Sequence, residues 1–167
     1  MRDSDTFDEF YASSASRMVT QLYAMIGDLA EAEDVVQEAY ARAWQRWRRV
    51  SAYENPASWV RTVAYRLAVS SWRRSRNRRT ADQRFEAGRQ VRELNPDTVA
   101  LVAALRQISA SQRRAIVLYH LIGLSVREIA QETGSSQSAV KAQLSRGRQA
   151  LAPLLGVEEL TEARHHA

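Results

Sequence analysis

The sequence of 167 residues contains no cysteine, which excludes disulfide bonds, thiolate metal sites and cysteine nucleophiles. Glycine and proline are scarce, with six and three residues, so few positions can interrupt a helix. No apolar run approaches the ~20 residues of a membrane span. The first ten residues, MRDSDTFDEF, lack the apolar core of a signal peptide. We therefore expect a cytoplasmic protein without membrane insertion.

Patterns typical of enzymes are missing as well. The sequence has neither a glycine-rich phosphate loop nor a catalytic-triad spacing. Among its three histidines, His120 lies in an apolar helical stretch and is interpreted as packed, whereas His165 and His166 stand in a tail without metal-ligand spacing. We predict no catalytic residue, no metal and no cofactor, and thus a protein that is not an enzyme.

Charge is the first positive signal. The chain has 24 basic and 19 acidic side chains, a net charge of +5 and a pI of about 10.1, which favour an anionic partner. One stretch departs from this excess, because it holds five acids and no base: Asp28, Glu31, Glu33, Asp34 and Glu38. Acids at a helix start complement the helix dipole, which is one explanation. The other is that a partner other than nucleic acid docks here.

Apolar residues recur at helical spacing along most of the chain, and no strand pattern stands out. The predicted fold class is all-α, with two small helical domains joined by a linker. The predicted boundaries are a first domain over residues 1–79, a linker over 80–97, a second domain over 98–155 and a tail over 156–167. Helices are predicted at about residues 6–26, 30–47, 56–72, 98–108 and 109–122, followed by a helix-turn-helix.

The second domain carries the helix-turn-helix pattern. Ser125 and Glu128 have the spacing of a capping box at a helix start, and Gly134 favours a left-handed helix exit. Either Ser135 or Ser136 then caps a second helix. The inward face of that helix is predicted from spacings of four, three and four: Val140, Leu144, Gly147 and Leu151.

The second helix of such a motif enters the DNA major groove, where short polar side chains read bases and cations hold phosphates. Gln137, Ser138 and Lys141 supply the first kind of side chain, and Arg146 and Arg148 the second. An ordinary helical hairpin with a solvated polar face is the alternative. We favour DNA binding, because the order of cap, turn and cap is more specific than charge alone.

A second nucleic-acid signal lies in the helix that Asn55 caps and Pro56 begins. One face carries Trp59, Val63 and Leu67, and another carries Arg61, Tyr65, Ala68 and Trp72. Arginines interleaved with rings suit single strands, because cations follow the backbone and rings stack on unpaired bases. We assign Trp59 to the core, whereas Trp72 stays open between packing and stacking. The stretch RRSRNRR, residues 73–79, is interpreted as following a phosphate backbone, with a solvated helix end as the alternative.

Taken together, these stretches resemble the extracytoplasmic-function (ECF) group of bacterial sigma factors, which keep only the promoter −10 domain (region 2) and the −35 domain (region 4). AEDVVQEAYARAW, residues 32–44, is similar to the region 2 helix that docks on the clamp helices of the polymerase β′ subunit. ASWVRTVAYRLAVSSWRR, residues 57–74, is similar to the −10 recognition helix. Residues 105–151 resemble region 4 throughout.

The resemblance implies roles for individual residues. The polymerase-docking positions of the family, D-x-x-Q-E, match Asp34, Gln37 and Glu38. The residues it associates with −10 DNA, including the base-capturing loop over 50–58, are Tyr53, Asn55, Arg61, Tyr65, Arg66, Trp72, Arg73 and Arg74. The residues it associates with −35 DNA are Gln137, Ser138, Lys141, Ala142, Ser145, Arg146 and Arg148.

One stretch departs from the family pattern. The family commonly has I-A-R-N-x-x-x-D in the −10 helix, whereas this chain reads V-A-Y-R-L-A-V-S from Val63 to Ser70. Arg66 therefore stands where the family has Asn, and Ser70 where it has Asp. An arginine can stack or hold a phosphate, but it cannot reproduce the paired donor and acceptor of an amide. The −10 preference is thus expected to differ.

The hypothesis is a dissociable promoter-specificity subunit. Its implied partners are core RNA polymerase (the β′ clamp helices and the β flap), duplex DNA at −35, single-stranded DNA at −10 and, as the family allows, an anti-sigma factor. One alternative is an autonomous helix-turn-helix regulator that binds operator DNA as a dimer. Another is an arginine-rich RNA-binding adaptor, for which the capped hairpin would be superfluous.

Overall fold

The computed structural model describes residues 2–77 and 94–156, and all regular elements within them are helices. This confirms the predicted all-α class. The chain divides into two compact units: residues 1–23 with 28–93 form the first unit, and residues 24–27 with 94–167 form the second unit. The predicted tail, with His165 and His166, lies outside the described residues except for Gly156. None of the described helices is long and apolar enough to cross a membrane.

Four helices begin the chain, and their bounds differ slightly from the predicted ones. They are α1 (Arg2–Ile26), α2 (Leu29–Gln45), α3 (Trp47–Val50) and α4 (Pro56–Asn77). The predicted helix over 30–47 is two helices, because the helix is interrupted at Arg46. The φ of −124° and ψ of 23° at this residue are not helical. The predicted inward residues of this stretch are all buried: Val36, Ala39, Tyr40, Ala43 and Trp47.

Aromatic rings bring the first turns of α1 onto α2 and α3. The ring centroids of Phe7 and Trp47 are 5.2 Å apart, and those of Phe10 and Tyr40 are 5.6 Å apart. The polar atoms of the buried rings are paired, since the Trp47 indole N–H donates to Thr6 Oγ1 at 2.9 Å. Burial of the Tyr40 phenol raises its pKa, against the opposing hydrogen bond with Ser14. Rings of this size bury large apolar areas in a small helical unit.

The assignment of Trp59 to the core is wrong, because the buried face of α4 lies one residue further along the chain. The residues buried along this helix are Val60, Arg61, Ala64 and Ala68, whereas Trp59, Val63 and Leu67 are only partly buried. α4 packs along α2, whose buried face is itself rich in alanine. Small side chains on both helices allow a close approach of the two backbones, whereas larger side chains at this contact would increase the distance between the helices. The helix start is as predicted, because Asn55 Oδ1 accepts the Ser58 N–H at 3.1 Å.

The second unit contains four α-helices and one π-helical turn among its described residues. They are α5 (Pro96–Leu105), α6 (Ala110–Ile116), the π turn (Val117–Leu121), α7 (Val126–Thr133) and α8 (Gln137–Leu155). α5 starts inside the predicted linker, because Asn95 caps it by accepting the Asp97 N–H at 2.9 Å. Of that linker, residues 80–93 lie outside the described residues.

The π turn changes the surroundings of His120. The Ile122 N–H reaches back to the Val117 carbonyl at 3.1 Å, a separation of five residues. Such a turn inserts one residue into the helical register. Val117 and Leu118 are fully buried, but His120 is exposed. The sequence predicted a packed His120 in an apolar helix, whereas the structure leaves this residue exposed.

The helix-turn-helix is confirmed in its caps and its turn. The Glu128 N–H donates to Ser125 Oγ at 3.2 Å, and the Ser125 N–H donates to Glu128 Oε2 at 2.7 Å, so the capping box is complete. These bonds stabilise the Glu128 carboxylate and lower its pKa. Gly134 ends α7 with a φ of +67°. Ser136, not Ser135, caps α8 by accepting the Ala139 N–H at 3.1 Å.

The predicted inward face of α8 is confirmed. Val140, Leu144, Gly147 and Leu151 are all buried. Gly147 lies against α6 so closely that a Cβ there would be 2.9 Å from Ile116 Cγ1. The glycine therefore lets α8 pack closely on α6, and the opposite face of α8 is left to solvent.

Candidate nucleic-acid interface

The three predicted polymerase-docking residues lie together on α2. Asp34, Gln37 and Glu38 are all exposed, on the side of the helix away from its buried residues. We call these three residues the docking surface. Asp28 precedes them and caps α2 by accepting the Glu31 N–H at 3.0 Å, so at least this acid serves the helix start.

An ion pair occupies part of the docking surface. Glu38 Oε1 accepts the Arg42 Nε–H at 2.8 Å, and both side chains are about half exposed. Such a surface pair contributes only about 0–1 kcal/mol. The pair is therefore weak, and it leaves the carboxylate of Glu38 about half exposed.

Tyr53 and Asn55 lie in the loop between α3 and α4. The Tyr53 ring is 38% exposed. Asn55 is exposed too, but its side-chain oxygen already accepts the hydrogen bond that caps α4. The loop thus offers a ring, while Asn55 fixes where the helix begins.

Arg61 is not on the surface that the sequence suggested. Arg61 is only 4% exposed, and its Nη1–H donates to Gln21 Oε1 of α1 at 3.4 Å. The prediction of Arg61 as a −10 DNA-binding residue does not fit this burial, because Arg61 lies on the buried side of α4 with Ala64 and Ala68. Arg61 therefore belongs to the packing of the first unit, and its side chain is not presented to DNA.

The remaining α4 residues do reach the surface. Arg66, Arg73 and Arg74 are exposed, and Tyr65 is partly buried. Trp72, left open by the sequence, is 57% exposed and is not a core residue. The Arg76 guanidinium carbon lies 4.6 Å from the centroid of its ring. The C-terminal half of α4 thus combines an accessible ring with several cations.

The seven predicted −35 residues share one helix but not one environment. Exposed side chains are found at Gln137, Ser138, Lys141, Ser145 and Arg146. Ala142 and Arg148 are partly buried. The exposed set combines a primary amide, two hydroxyls and two cations, which is the chemistry that groove reading requires.

Arg148 is already held by side chains of the π turn. Its Nε–H donates to His120 Nε2 at 3.1 Å, and its guanidinium carbon lies 5.2 Å from the centroid of the Tyr119 ring. Partial burial of the imidazole and the positive charge of Arg148 lower the pKa of His120. The sequence did not reveal this cluster, because His120 and Arg148 are 28 residues apart.

Two further features went unnoticed in the sequence. The Trp72–Arg76 pair has the spacing of four that places side chains together on a helix, so this contact could have been found. Trp44 is 48% exposed beside Phe7, with ring centroids 5.1 Å apart, and no periodicity distinguished it from its buried neighbours. Within residues 2–77 and 94–156, no group of three or more His, Asp or Glu side chains could hold a metal ion.

Comparison with known families covers both units. The model of sigma-70 region 2 matches residues 10–79, and the model of sigma-70 region 4 matches residues 98–151. The chain is 33% identical over 127 residues to the ECF RNA polymerase sigma factor SigL of Mycobacterium tuberculosis, and the match covers 72% of each chain. It is 27% identical over 160 residues to the ECF sigma factor SigX of Bacillus subtilis, covering 88% of this chain and 82% of that one.

Solved structures agree with these matches. The sigma factor RpoE of Bartonella quintana, in complex with the anti-sigma factor NepR, has a TM-score of 0.78 at 25% identity, over 92% of this chain and 99% of that chain. CnrH, in complex with the cytosolic domain of CnrY, shares the fold with a TM-score of 0.64 at 20% identity, over 93% and 91%. The chain therefore belongs to the sigma-70 family, as an ECF RNA polymerase sigma factor.

Proposed function

We propose that this chain acts as a dissociable promoter-specificity subunit of bacterial RNA polymerase. It binds core polymerase in the cytoplasm, recognises the −35 and −10 elements and initiates transcription, while the polymerase makes the phosphodiester bonds. The observation that carries the proposal is that this one chain, a member of the sigma-70 family, holds three surfaces in a fixed order along its sequence. The docking surface on α2 comes first, the aromatic and basic end of α4 second, and the capped helix-turn-helix last.

The docking surface binds the clamp helices of the β′ subunit. Its three side chains are exposed on one face, and Glu38 forms a weak surface ion pair with Arg42. Complementary charge on a partner steers association and fixes its register more than it adds raw affinity. The second unit meets the β flap, as the family resemblance implies.

The helix-turn-helix reads duplex DNA at −35. Gln137, Ser138 and Lys141 stand on the first two turns of α8, where the recognition helix of this motif contacts base edges. Arg146 binds a backbone phosphate. The capping box and the packing of Gly147 on Ile116 support this role, because they fix the helix that carries the reading side chains.

The first unit captures unpaired −10 bases. Tyr53 in the α3–α4 loop and Trp72 on α4 offer exposed rings, with Arg66, Arg73 and Arg74 beside the strand. Stacking is worth about 1–3 kcal/mol per base, and extruding a base costs a few kcal/mol. One or two captured bases can therefore tip strand separation once polymerase holds the duplex. The buried Arg61 has no part in this capture.

A protein inhibitor of the anti-sigma class is a further expected partner. The related Bartonella RpoE structure is a complex with the anti-sigma factor NepR. We extend that type of partner to this chain, where it would cover the docking surface or the exposed face of α8. Either position would prevent promoter recognition by competition for the same side chains.

Transcription reconstituted from purified core polymerase, this chain and fragments of bacterial genomic DNA tests the proposal. We expect start sites that arise only when the chain is added. A matched reaction with the Gln37→Ala, Glu38→Ala double variant is expected to lose most of these starts. Tight operator binding by a dimer without polymerase, together with no added start sites, would instead support the autonomous regulator.

A further inference from the structure

The cluster of Tyr119, His120 and Arg148 lies on the flank of α8 that carries Lys141. Lys141 and Arg148 are seven residues apart, which at about 100° per residue brings them within about 20° of the same direction. They are separated by about 10 Å along the helix axis. Arg148 is thus a cation on the same flank as Lys141, two turns further from the start of α8, and His120 is its hydrogen-bond acceptor.

The hydrogen bond fixes the chemical state of the imidazole. An Arg148 Nε–H can donate only to an unprotonated nitrogen, so Nε2 is an acceptor and the neutral ring carries its proton on Nδ1. Arg148 is the charged group that acts on His120. The charged residues of α7, which also packs against the π turn, are Arg127, Glu128 and Glu132, and the Glu128 carboxylate is held in the capping box with Ser125.

A DNA phosphate is a stronger acceptor for this guanidinium than a neutral imidazole. Both bonds have a charged donor, but the phosphate also carries a full negative charge, so ion–ion attraction adds to its hydrogen bond. If a phosphate takes Arg148, then Nε2 loses its donor and faces a negative charge instead of a positive one. Both changes favour protonation of His120.

We propose that His120 and Arg148 form one phosphate contact beside the reading face of α8, in which duplex DNA takes Arg148 from His120 and the imidazole takes up a proton from solvent. The inference rests on the proposed −35 role of α8 and adds a DNA-contacting residue to it. The contact is electrostatic and does not depend on base sequence. Its consequence is that duplex binding strengthens as pH falls.

The sign follows from linkage. His120 holds its proton less tightly in the free chain, beside Arg148, than in the complex, beside a phosphate, so binding takes up a proton where histidine titrates. Affinity therefore rises as pH falls from about 7.5 to about 5.5, the range in which histidine titrates. An opposite charge at contact distance shifts such a group by one unit or more, so we expect an increase in affinity of about three- to tenfold.

The test uses the full chain and a mixed-sequence duplex of about 20 base pairs at constant low ionic strength, with affinity measured by fluorescence anisotropy. Because the chain has three histidines, a His165→Gln, His166→Gln background leaves His120 as its one histidine. In this background we expect the three- to tenfold dependence on pH. Adding His120→Gln should remove it, because glutamine can still accept from Arg148 but does not titrate.

Two further measurements complete the test. Calorimetry of duplex binding in buffers of different ionisation enthalpy should show proton uptake that His120→Gln abolishes. Arg148→Ala should weaken duplex binding at every pH and also flatten the pH dependence. A pH dependence that survives His120→Gln would overturn the inference, and so would proton uptake that is unchanged in that variant.

Lys141→Ala separates this inference from the proposed function. If Lys141→Ala weakens duplex binding while His120→Gln changes nothing, only the His120 contact is wrong. If neither Lys141→Ala nor Arg148→Ala affects duplex binding, or if the wild-type chain does not bind the duplex at low salt, the −35 role of α8 itself fails.

Discussion

Helices α4 and α8 both carry exposed arginines, but they place different side chains beside them. α4 spans 22 residues and ends with Trp72 under Arg76, close to Arg73 and Arg74. α8 spans 19 residues and begins with an amide, hydroxyls and Lys141. Rings beside cations suit unpaired bases, whose faces are accessible. Small polar groups suit a closed duplex, in which only base edges can be reached.

The same two helices also differ in how they are buried. α4 packs against α2, and its buried residues include Ala64, Ala68 and Arg61. α8 lies on α6 and α7 through aliphatic side chains and Gly147. The outward face of α4 is therefore set by which small residues allow close packing, whereas the outward face of α8 is set by ordinary amphipathic periodicity. Four pairs of variants can break or sharpen this comparison.

The largest expected effect contrasts two leucines, one on each helix. Leu144 on α8 is 3% exposed, but Leu67 on α4 is only partly buried. Leu144→Ala should cost about 2–5 kcal/mol of unfolding free energy in the second unit, and Leu67→Ala about 1 kcal/mol in the first. All four tryptophans lie in the first unit, so urea unfolding followed by tryptophan fluorescence and by far-UV circular dichroism separates the two. Equal losses would contradict the observed rotation of α4.

The second pair compares two arginines of α4. Arg61→Ala should destabilise the first unit by about 1–3 kcal/mol, because it removes a buried side chain and its bond to Gln21. Arg66→Ala should stay within about 0.5 kcal/mol, since Arg66 is exposed. Arg61→Met, which keeps an apolar stem, is the control for packing. If Arg61→Ala is as stable as wild type but binds single-stranded DNA more weakly, the prediction is wrong and Arg61 contacts DNA.

The third pair separates protein docking from DNA reading. Gln37→Ala with Glu38→Ala should weaken core polymerase binding about tenfold, or about 1.4 kcal/mol, whereas Lys141→Ala should leave it unchanged. Arg42→Ala is the matched control, because it breaks the ion pair but keeps the acid of Glu38. In transcription assays, Lys141→Ala should reduce the use of −35 sequence more than that of −10 sequence. An equal loss of −35 and −10 use would contradict the placement of Lys141 in the DNA major groove.

The smallest expected effect concerns the two caps. Ser125→Ala should cost about 1 kcal/mol near neutral pH, and Asn55→Ala a similar amount, because each leaves a helix-start N–H without its acceptor. The two should differ with pH. The pKa of Glu128 is lowered in the folded chain, so its share of the capping box is present above the ordinary pKa of glutamate and is lost as pH falls through the lowered one. Urea unfolding near pH 7 and near pH 3 should show this loss for wild type. Glu128→Gln, which cannot titrate, should show less of it, whereas Ser125→Ala should keep most of it because alanine retains the backbone N–H that Glu128 accepts.

Local patterns predicted several features because the interactions behind them are short in sequence. The caps at Asn55 and Ser125 join residues three apart, and Gly134 needs only its own backbone angle. The α8 face was predictable because a polar stripe lies opposite its buried residues. α4 lacked that contrast, with apolar residues on nearly every side, so neighbouring faces could not be told apart by periodicity.

By itself, the sequence determined that the chain is helical, that it carries a capped helix-turn-helix and that it resembles a two-region sigma factor. These features could be predicted because helical periodicity, caps and family motifs depend on residues that are close together in the sequence. Only the tertiary structure decided that Arg61 is buried, that Trp72 is exposed and that Arg148 is held by His120. These outcomes depend on contacts between residues distant in sequence, where packing on a neighbouring helix overrides the local pattern.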